Sequence, residues 1–219
     1  MDPTEPVVII GAGGHGREVA DIIRHQSHDG AAPSPLGFVV DREYLTPEID
    51  YELPILGDWT WFENADRERI SVICAVGDPV VRKRWVQRAM SLGLRFTKVI
   101  SPLAFVAPTA VVGEGVMIFP FSVISTEVAV GNHSIINTGS NISHDGKLHD
   151  FVTIGAGVHI AGNVSIGEGC YVGTGANVIE RVSIGSWTIV GAGATVIDDL
   201  PEAVTAVGIP ARPIKTRAR

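Results

Sequence analysis

The sequence predicts two kinds of structure in one chain, an α/β domain over residues 1–100 and a parallel β-helix over residues 101–219. In the first part, strand-like and helix-like segments alternate, and a glycine-rich turn joins the first pair. In the second part, an aliphatic residue recurs at every sixth position. The composition, with 45% hydrophobic and 19% charged residues, is that of a folded chain rather than a disordered one.

The α/β domain is predicted from these alternating segments. Apolar runs that suit strands are found at residues 6–11, 36–41, 70–77 and 95–100. Residues 15–25, HGREVADIIRH, carry apolar side chains at helical spacing. A second helix is predicted over residues 78–93, because Asp78 suits its N-cap, Pro79 its first position and Gly93 the position after its end. Strands that alternate with helices predict a small parallel sheet with crossover helices.

The turn after the first strand, GAGGHG at residues 11–16, has the spacing G-x-G-x-x-G. Such a turn lets the backbone approach a phosphate group at the N-terminus of a helix. Asp41 ends the second predicted strand, where a Rossmann domain often places a ribose-binding acid. A nicotinamide dinucleotide is disfavoured, because the α/β part has no second mononucleotide half, and we expect a nucleotide or a nucleotide-sugar diphosphate instead. The candidate residues for this ligand are Gly11, Gly13, Gly14, His15, Gly16, Asp41, Arg42, Gly77 and Asp78.

The β-helix is predicted from a six-residue period that holds without a slip. Its sixteen aliphatic positions are Val106, Val112, Ile118, Ile124, Val130, Ile136, Ile142, Leu148, Ile154, Ile160, Ile166, Val172, Val178, Ile184, Val190 and Val196. Small residues often stand two positions earlier and glycine one position later, as the tight corners of a three-sided coil require. Three six-residue sides make an eighteen-residue coil, and about five such coils stack at a spacing of roughly 4.8 Å.

Stacking of this kind places residue i beside residues i+18 and i−18, so His144 should lie between Gly162 and Thr126. Gly162 has no side chain, and we expect an open slot beside the imidazole. Asp145, the next residue, could orient His144 as the acid partner does in a general-base pair. The alternative is a solvated surface pair with no catalytic role.

Zinc binding is a second interpretation of this histidine-rich segment. His144 and His149 are five residues apart, a spacing that also occurs in β-helical carbonic anhydrases, which this region resembles in fold. Those enzymes add a third histidine upstream, and here the upstream coils hold only His133, in a corner that we expect to be exposed. His149 stacks between Gly131 and Gly167 and should project outwards. We therefore expect no bound metal.

Composition and termini exclude several other classes. The net charge of −7 provides no basic surface for nucleic acid. The first residues, MDPTEP, lack the features of a signal peptide, and no apolar run is long enough to span a bilayer. Cys74 and Cys170 lie in separate apolar segments and are expected to be buried thiols rather than a disulfide. These features predict a cytoplasmic protein without membrane insertion.

Four motifs together resemble those of a known family: VVIIGAGGHGREVADII (7–23), ICAVGDPVVRKR (73–84), INTGSNISHD (136–145) and GAGATVIDDLPEAVTAVGIPARPIK (191–215). The chain resembles the sialic-acid, bacillosamine and perosamine type of sugar acetyltransferase over essentially its whole length. The resemblance implies a Rossmann-like first domain and a left-handed β-helix, a handedness that the periodicity alone does not supply. It also implies acetyl-CoA as co-substrate, a nucleotide-activated amino sugar as acceptor, and a homotrimer with CoA between neighbouring helices.

The resemblance also implies roles for individual residues. The family's proposed general base falls on His144, and the acid beside it on Asp145. Asn137, seven residues earlier, corresponds to a position at the acceptor-sugar site. Thr153 stands where several relatives have a histidine that contacts the acetyl carbonyl, and Ser143 stands where some relatives have an acid. The residues implied for the acetyl-CoA site are Thr153, Gly162, Gly191, Ala192 and Arg212.

The predicted activity is transfer of an acetyl group from acetyl-CoA to the amine of a nucleotide-linked amino sugar. O-acetylation of a sugar hydroxyl is the alternative within the same family. A zinc lyase and a non-catalytic nucleotide-sugar sensor are the alternatives from other classes. The sequence assigns no role to His149 or Asp150, and it leaves the nucleotide base open.

Overall fold

The structure, a computed structural model, describes residues 5–26, 33–44 and 52–216. The α/β part contains β1 (Val7–Ile10), α1 (Gly14–Gln26), β2 (Pro35–Val39), β3 (Ile55–Gly57), α2 (Trp61–Asn64), β4 (Ser71–Cys74) and α3 (Pro79–Ser91), with 3₁₀ helices at Arg42–Tyr44 and Arg67–Arg69. Its four strands are parallel and ordered β3-β2-β1-β4. The predicted parallel sheet and both predicted helices are confirmed, whereas β3 and α2 have no counterpart in the sequence prediction.

Burial explains why these segments form the sheet and its helices. All four residues of β1 are buried, as expected for a central strand of a parallel sheet with both faces covered. Helix α1 buries Val19, Ile22 and Ile23 on one face. Helix α3 begins as predicted, because the Asp78 side chain accepts hydrogen bonds from the two backbone N–H groups that follow Pro79.

The segment at residues 95–100, predicted as one strand, pairs with strands of two different sheets. Phe96 forms a parallel bridge with Val72 of β4. Three residues later, β5 (Val99–Ile100) already pairs with a strand of the coil, Met117–Ile118. The chain therefore passes directly from the edge of the α/β sheet into the β-helix.

The remaining chain forms a coil of short parallel strands with three faces. The first face consists of β5, β8 (Met117–Ile118), β11 (Ile135–Ile136), β14 (Thr153–Ile154), β17 (Tyr171–Val172), β20 (Ile189–Val190) and β22 (Val204–Val207), with β23 (Arg212–Thr216) antiparallel at its end. The second face consists of β6 (Phe105–Val106), β9 (Val123–Ile124), β12 (Asn141–Ile142), β15 (His159–Ile160), β18 (Asn177–Val178) and β21 (Thr195–Val196). The third face consists of β7 (Val111–Val112), β10 (Ala129–Val130), β13 (Lys147–Leu148), β16 (Ser165–Ile166) and β19 (Ser183–Ile184).

The predicted eighteen-residue register is confirmed on all three faces. Ile136 pairs with Ile154 on the first face, and Leu148 pairs with Ile166 on the third. The aliphatic positions of the repeat point into the coil, where Ile136, Ile154 and Ile166 have no exposed surface. The coil core is therefore a stack of aliphatic side chains, which is what the six-residue period predicted.

The turns after the first, second and third faces are called the first, second and third corners; in the central coil they span residues 137–140, 143–146 and 149–152. Each corner of this coil contains one residue with a left-handed backbone. These residues are Gly139 with φ 68°, Asp145 with φ 60° and Phe151 with φ 60°. The left-handed residue directs the chain onto the next face.

The α/β part packs on the third corner through helix α3. His133 and Phe151 stack there with ring centroids 5.3 Å apart, and Phe96 meets His133 edge-on at 4.6 Å. His133 is only 6% exposed, so the expectation of an exposed His133 was wrong. It is buried because the α/β part, which a repeat pattern cannot reveal, covers this corner.

Two further expectations concern thiols and membranes. Cys74 and Cys170 are both free and buried, as predicted. Burial raises the pKa of Cys74 to about 12 and that of Cys170 to about 11, so neither is a thiolate at neutral pH.

Over residues 5–26, 33–44 and 52–216, no helix has the length and apolar character needed to cross a membrane.

Candidate active site

His144 and Asp145 form a hydrogen-bonded pair on the second corner. The imidazole Nδ1 lies 2.7 Å from Asp145 Oδ2, and about half of each side chain is exposed. The left-handed backbone at Asp145 turns its carboxylate back towards the preceding residue, and aspartate tolerates that conformation well. An imidazole that donates its Nδ1–H to a carboxylate keeps the Nε2 lone pair available to accept a proton.

The backbone of this pair is held by the coils on either side. Asp145 N–H donates to the Thr126 carbonyl at 3.2 Å, and the His144 carbonyl accepts from Asn163 N–H at 3.0 Å. The exposed side chains therefore stand on a backbone fixed from both sides, which suits a reacting group.

Gly162 lies directly against the imidazole, as the stacking predicted. A Cβ atom added to Gly162 would lie 2.5 Å from Cε1 and 2.6 Å from Nε2 of His144. The expected open slot beside Gly162 is therefore not present, because the imidazole itself occupies that space. Gly162 thus supports the ring of His144, and this contact does not depend on any cofactor.

The glycine-rich turn has the geometry of an anion site. A Cβ atom on Gly16 would lie 2.1 Å from the Gly11 carbonyl oxygen, so only glycine permits this close approach. A Cβ atom on Gly13 would meet nothing within 4 Å, and one on Gly14 would meet only the end of Arg17. The turn is therefore tight on its inner side and open on its outer side, where α1 begins.

His15 connects this turn to the coil. Its ring stacks on Phe119, with centroids 5.0 Å apart and an interplanar angle of 14°. Burial, with a smaller contribution from the positive charge of Arg82, lowers the pKa of His15 to about 4. The imidazole is therefore neutral at neutral pH, and its buried Nε2 has no hydrogen-bond partner. Because Phe119 leads into the first corner, the glycine-rich turn lies beside that corner.

A cleft of about 360 Å³ lies between α1 and the first corner. Its walls include Ile22 and His25 from the helix, and Leu103, Phe119 and Thr138 from the coil. Asn137, the neighbour of Thr138, is half-buried at the start of this corner, and its backbone carbonyl accepts a hydrogen bond from Ser122 Oγ at 2.9 Å.

Asn137 and His144 lie on different corners of the same coil, and the second face separates them. Within one chain, the glycine-rich turn and Asn137 therefore lie beside the first corner, whereas His144 lies on the second corner, at the other end of the second face.

Four further candidates lie at the carboxyl ends of β2 and β4. Asp41 is half-buried, with Oδ1 4.0 Å from Nη1 of Arg88. The side chain of Arg42 lies outside the described residues. Asp78 Oδ1 caps α3 by accepting from two backbone N–H groups, and the Gly77 carbonyl accepts from Arg82 Nη1 at 2.8 Å. The Asp78 carboxylate and the Gly77 carbonyl are therefore already engaged in hydrogen bonds that hold α3 and the turn after β4.

Thr153 lies in a different environment from the one that the resemblance implied. It is 2% exposed, and its Oγ1 accepts from Arg82 Nη2 at 2.8 Å and donates to the Gly77 carbonyl at 3.1 Å. Contact with an acetyl carbonyl is at odds with this burial, because the hydroxyl is already engaged. The repeat pattern predicted the strand position of Thr153 but not the α/β part that packs over it.

The other residues implied for acetyl-CoA lie on two corners. Gly191 and Ala192 belong to the first corner. Arg212 donates to Asp198 Oδ2 at 2.8 Å, and Asp198 lies on the second corner, three coils beyond His144. Within one chain, Gly162 lies on the same corner as His144, and the side chain of Arg212 reaches that corner from β23. Gly191 and Ala192 lie on the first corner instead.

The histidines considered for zinc are also separated. His149 is exposed on the third corner, whereas His144 is on the second, and His133 is enclosed by aromatic rings. Asp150 Oδ1 accepts from the backbone N–H of Asn132 at 2.7 Å, which is a structural role. Within the part of the chain that the structure describes, no group of three or more His, Cys, Asp or Glu side chains is placed to hold a metal ion.

Sequence patterns did not single out Arg82, whose guanidinium donates four hydrogen bonds from the α/β part to the coil. It lies inside a predicted helix, in the quoted segment ICAVGDPVVRKR, and has no exposed surface. A charged residue within a helix ordinarily predicts a solvated face, so its burial could not be predicted.

Comparison with known proteins identifies relatives of both parts of the chain. The profile described as the PglD N-terminal domain matches residues 6–89. The profile described as bacterial transferase hexapeptide (six repeats) matches residues 145–179. A comparison with curated proteins found no match.

Several solved structures are similar over nearly the whole chain. One is a histidine-to-alanine variant of GDP-perosamine N-acetyltransferase from Caulobacter crescentus, in complex with CoA and GDP-perosamine; it is 33% identical, with 96% of this chain and 97% of that chain covered and a TM-score of 0.88. The acetyltransferase domain of PglB from Neisseria gonorrhoeae FA1090 is 32% identical, with 96% and 100% covered and a TM-score of 0.86. WeeI from Acinetobacter baumannii AYE is 28% identical, with 95% and 99% covered and a TM-score of 0.86.

Proposed function

The chain belongs to the family of sugar N-acetyltransferases that join a PglD-type N-terminal domain to hexapeptide repeats, and from this premise we propose that it acetylates the amino group of a nucleotide-linked amino sugar. Acetyl-CoA is the acetyl donor, as in the PglB domain of the same family, which has been crystallised with acetyl coenzyme A. Membership in this family favours acetyl transfer over a zinc lyase and over a non-catalytic sensor.

The observation that carries the mechanism is the hydrogen bond between His144 Nδ1 and Asp145 Oδ2. In the proposed reaction, the sugar amine attacks the thioester carbon while Nε2 of His144 takes the amine proton. The new C–N bond forms, the C–S bond breaks, and the proton then passes to the departing CoA thiolate. Asp145 keeps the imidazole oriented. A histidine was also the residue replaced in two variants of the Caulobacter enzyme bound to CoA and GDP-perosamine, which supports a histidine in this role.

A direct attack, without a covalent acetyl-enzyme, suits the available nucleophiles. Cys74 and Cys170 are buried and protonated at neutral pH. The Ser143 hydroxyl accepts a long hydrogen bond from Asn141 at 3.4 Å and has no basic partner in that contact. Nucleophilic catalysis would require a general base hydrogen-bonded to the nucleophile, and among the described residues none of these three side chains has one.

We assign the nucleotide sugar to the first domain, residues 1–100, and acetyl-CoA to the second, residues 101–219. The open outer side of the turn at Gly13 and Gly14 supports a diphosphate there. The strand order β3-β2-β1-β4 supports a Rossmann-like sheet, whose known ligands bind at the carboxyl ends of the strands. The hexapeptide match supports a left-handed coil.

We further propose that the active unit is a homotrimer. Acetyl transfer needs the amine close to His144, yet the glycine-rich turn and Asn137 lie beside the first corner and His144 lies on the second. A neighbouring copy could bring its second corner to the first corner of this chain. Exposed apolar side chains on the first corner and the adjoining second face support such a contact: Leu103, Phe105, Phe121 and Val123.

The test is an acetyl-transfer assay with purified protein, acetyl-CoA and a panel of UDP-, GDP- and dTDP-linked amino sugars. We expect CoA release with at least one amino sugar and an amide product that resists hydroxylamine. A product that hydroxylamine cleaves would indicate O-acetylation. CoA release with none of the sugars would contradict the proposed function, and light scattering on the same sample measures the oligomeric state.

A further inference from the structure

Among residues 5–26, 33–44 and 52–216, the largest side chain with no exposed surface is Arg82, in the first turn of α3. Its guanidinium donates to acceptors in both parts of the chain. The acceptors are Val76 O at 2.7 Å, Gly77 O at 2.8 Å, His133 O at 2.8 Å, Phe151 O at 2.7 Å, Val152 O at 3.4 Å and Thr153 Oγ1 at 2.8 Å. The first two belong to the turn after β4, and the other four belong to the coil.

These acceptors are carbonyl and hydroxyl groups instead of a carboxylate. Over the described residues, no acidic side chain lies within 4.0 Å of the Arg82 guanidinium. Burial lowers the pKa of Arg82 to about 10, which leaves it charged at neutral pH. A buried charge is tolerated only when its hydrogen bonds are made, and only a planar, five-donor group can reach acceptors on both sides at once.

The turn held by Arg82 borders the glycine-rich turn. A Cβ atom on Gly11 would lie 3.2 Å from the Ala75 carbonyl oxygen and 3.4 Å from Cγ2 of Val76. Strands β1 and β4, which lead into the two turns, are paired along their whole length. A shift of residues 76–77 relative to the coil would therefore also displace the glycine-rich turn at residues 11–16, and with it the open outer side of that turn.

We propose that Arg82 is a positioning residue for acetyl transfer: it fixes the turn at residues 76–77, and through it the nucleotide-sugar site, at a set distance from the coil. This inference rests on the proposed function. It also assigns Thr153 to the same bridge, because Thr153 Oγ1 contacts both Arg82 and Gly77.

The neighbouring Lys83 provides a matched control. It also joins α3 to the coil, with Nζ 2.6 Å from Glu168 Oε1 and 5.1 Å from the ring centroid of Trp187. Unlike Arg82, it is about one-third exposed and makes no hydrogen bond to the turn after β4. Lys83→Met should therefore loosen the docking of α3 without moving residues 76–77.

The experiment compares Thr153→Val, Thr153→Ser, Arg82→Lys and Lys83→Met in the full-length protein. For each variant, kcat and both KM values are measured, together with the melting temperature and the affinity for UDP and GDP as probes. Valine keeps the shape of threonine but lacks the hydroxyl, whereas serine keeps the hydroxyl. Thr153→Val is the milder change and serves if Arg82→Lys does not fold.

For Thr153→Val, we expect the KM for the nucleotide sugar to rise about fivefold, because one buried hydrogen bond is lost, while the KM for acetyl-CoA stays unchanged. Thr153→Ser keeps the hydroxyl and should therefore keep the wild-type KM for the sugar. Arg82→Lys should lower kcat/KM for the sugar by about 10²-fold, as a misplaced substrate does, and Lys83→Met should stay near wild type.

Three results would overturn the proposal. One is a Thr153→Val variant whose melting temperature falls while both KM values stay at wild type, which would indicate a purely structural bridge. The second is a fall in kcat with the sugar KM unchanged, which would return Thr153 to the acetyl carbonyl. The third is a Lys83→Met variant that loses as much as Arg82→Lys. If the wild-type protein acetylates no amino sugar, the proposed function fails instead, and affinity for UDP and GDP still tests whether Arg82 positions the turn.

Discussion

The imidazole of His144 rests on the bare backbone of Gly162, one coil further along the chain, where an added Cβ atom would lie 2.5 Å from its Cε1. The ring is therefore positioned from two sides, by Asp145 at Nδ1 and by the glycine beneath it. The contact with Gly162 follows from the eighteen-residue register, whereas Asp145 is the next residue in the sequence. Both contacts can be changed without touching the coil core.

Gly162→Ala should displace the ring and lower kcat by about tenfold, because small misplacements of a reacting group are costly. The φ angle of Gly162 is not in the left-handed region, so alanine adds no backbone strain, and the melting temperature should change little. Steady-state kinetics and thermal melts measure both effects. In a His144→Asn background, Gly162→Ala should cause no further loss; an additive loss would show that Gly162 acts independently of His144.

His144→Asn should lower kcat by about 10²–10⁴-fold while the affinities for acetyl-CoA and the nucleotide sugar stay near wild type. Asp145→Asn should cost less, because Asp145 orients the ring and does not transfer the proton. Asparagine also tolerates the left-handed backbone found at Asp145. Kinetics and calorimetry measure the two quantities. A folded His144→Asn protein with normal turnover would refute the mechanism.

Two glycines of the same turn should respond in opposite ways. A side chain on Gly13 meets only open space in the structure, so Gly13→Val should keep the melting temperature but raise the KM for the nucleotide sugar. A side chain on Gly16 would collide with the Gly11 carbonyl, so Gly16→Ala should destabilise the fold by about 1–3 kcal/mol. Loss of acetyl-CoA binding in Gly13→Val would mean that the two ligands are assigned to the wrong domains.

Acid should destabilise the protein through two buried histidines. Burial lowers the pKa of His15 and of His133 to about 4, below the ordinary value of 6.5. Between these values the unfolded chain binds more protons than the folded chain, so stability is fully present above pH 6.5 and declines as the pH falls towards 4. Each histidine contributes up to about 3 kcal/mol of this loss.

Urea unfolding across this pH range measures the effect. The matched variant is His133→Leu, which removes one of the two groups and should reduce the pH dependence by about half. An unchanged pH dependence in His133→Leu would show that the ring is accessible to protons in the folded state.

Sequence reasoning predicted the β-helix well because every coil repeats the same local requirement. An aliphatic side chain must enter the core once per side, and sixteen such positions kept the register. The register then placed His144 against Gly162 without any knowledge of the tertiary structure. The parallel sheet and the glycine-rich turn were also predicted, since apolar strands and helix-capping residues are local signals.

Both kinds of structure, the coil register and the pairing of His144 with Asp145 and Gly162 could therefore be predicted from residue patterns. The contacts between the two parts could not: the burial of His133, the engaged hydroxyl of Thr153 and the buried charge of Arg82 are seen only in the folded chain. These two groups differ in the range of the interactions. Periodicity and turn chemistry act over a few residues or one coil, whereas Arg82 bonds to residues as far as 71 positions away along the chain. No local pattern records such a contact.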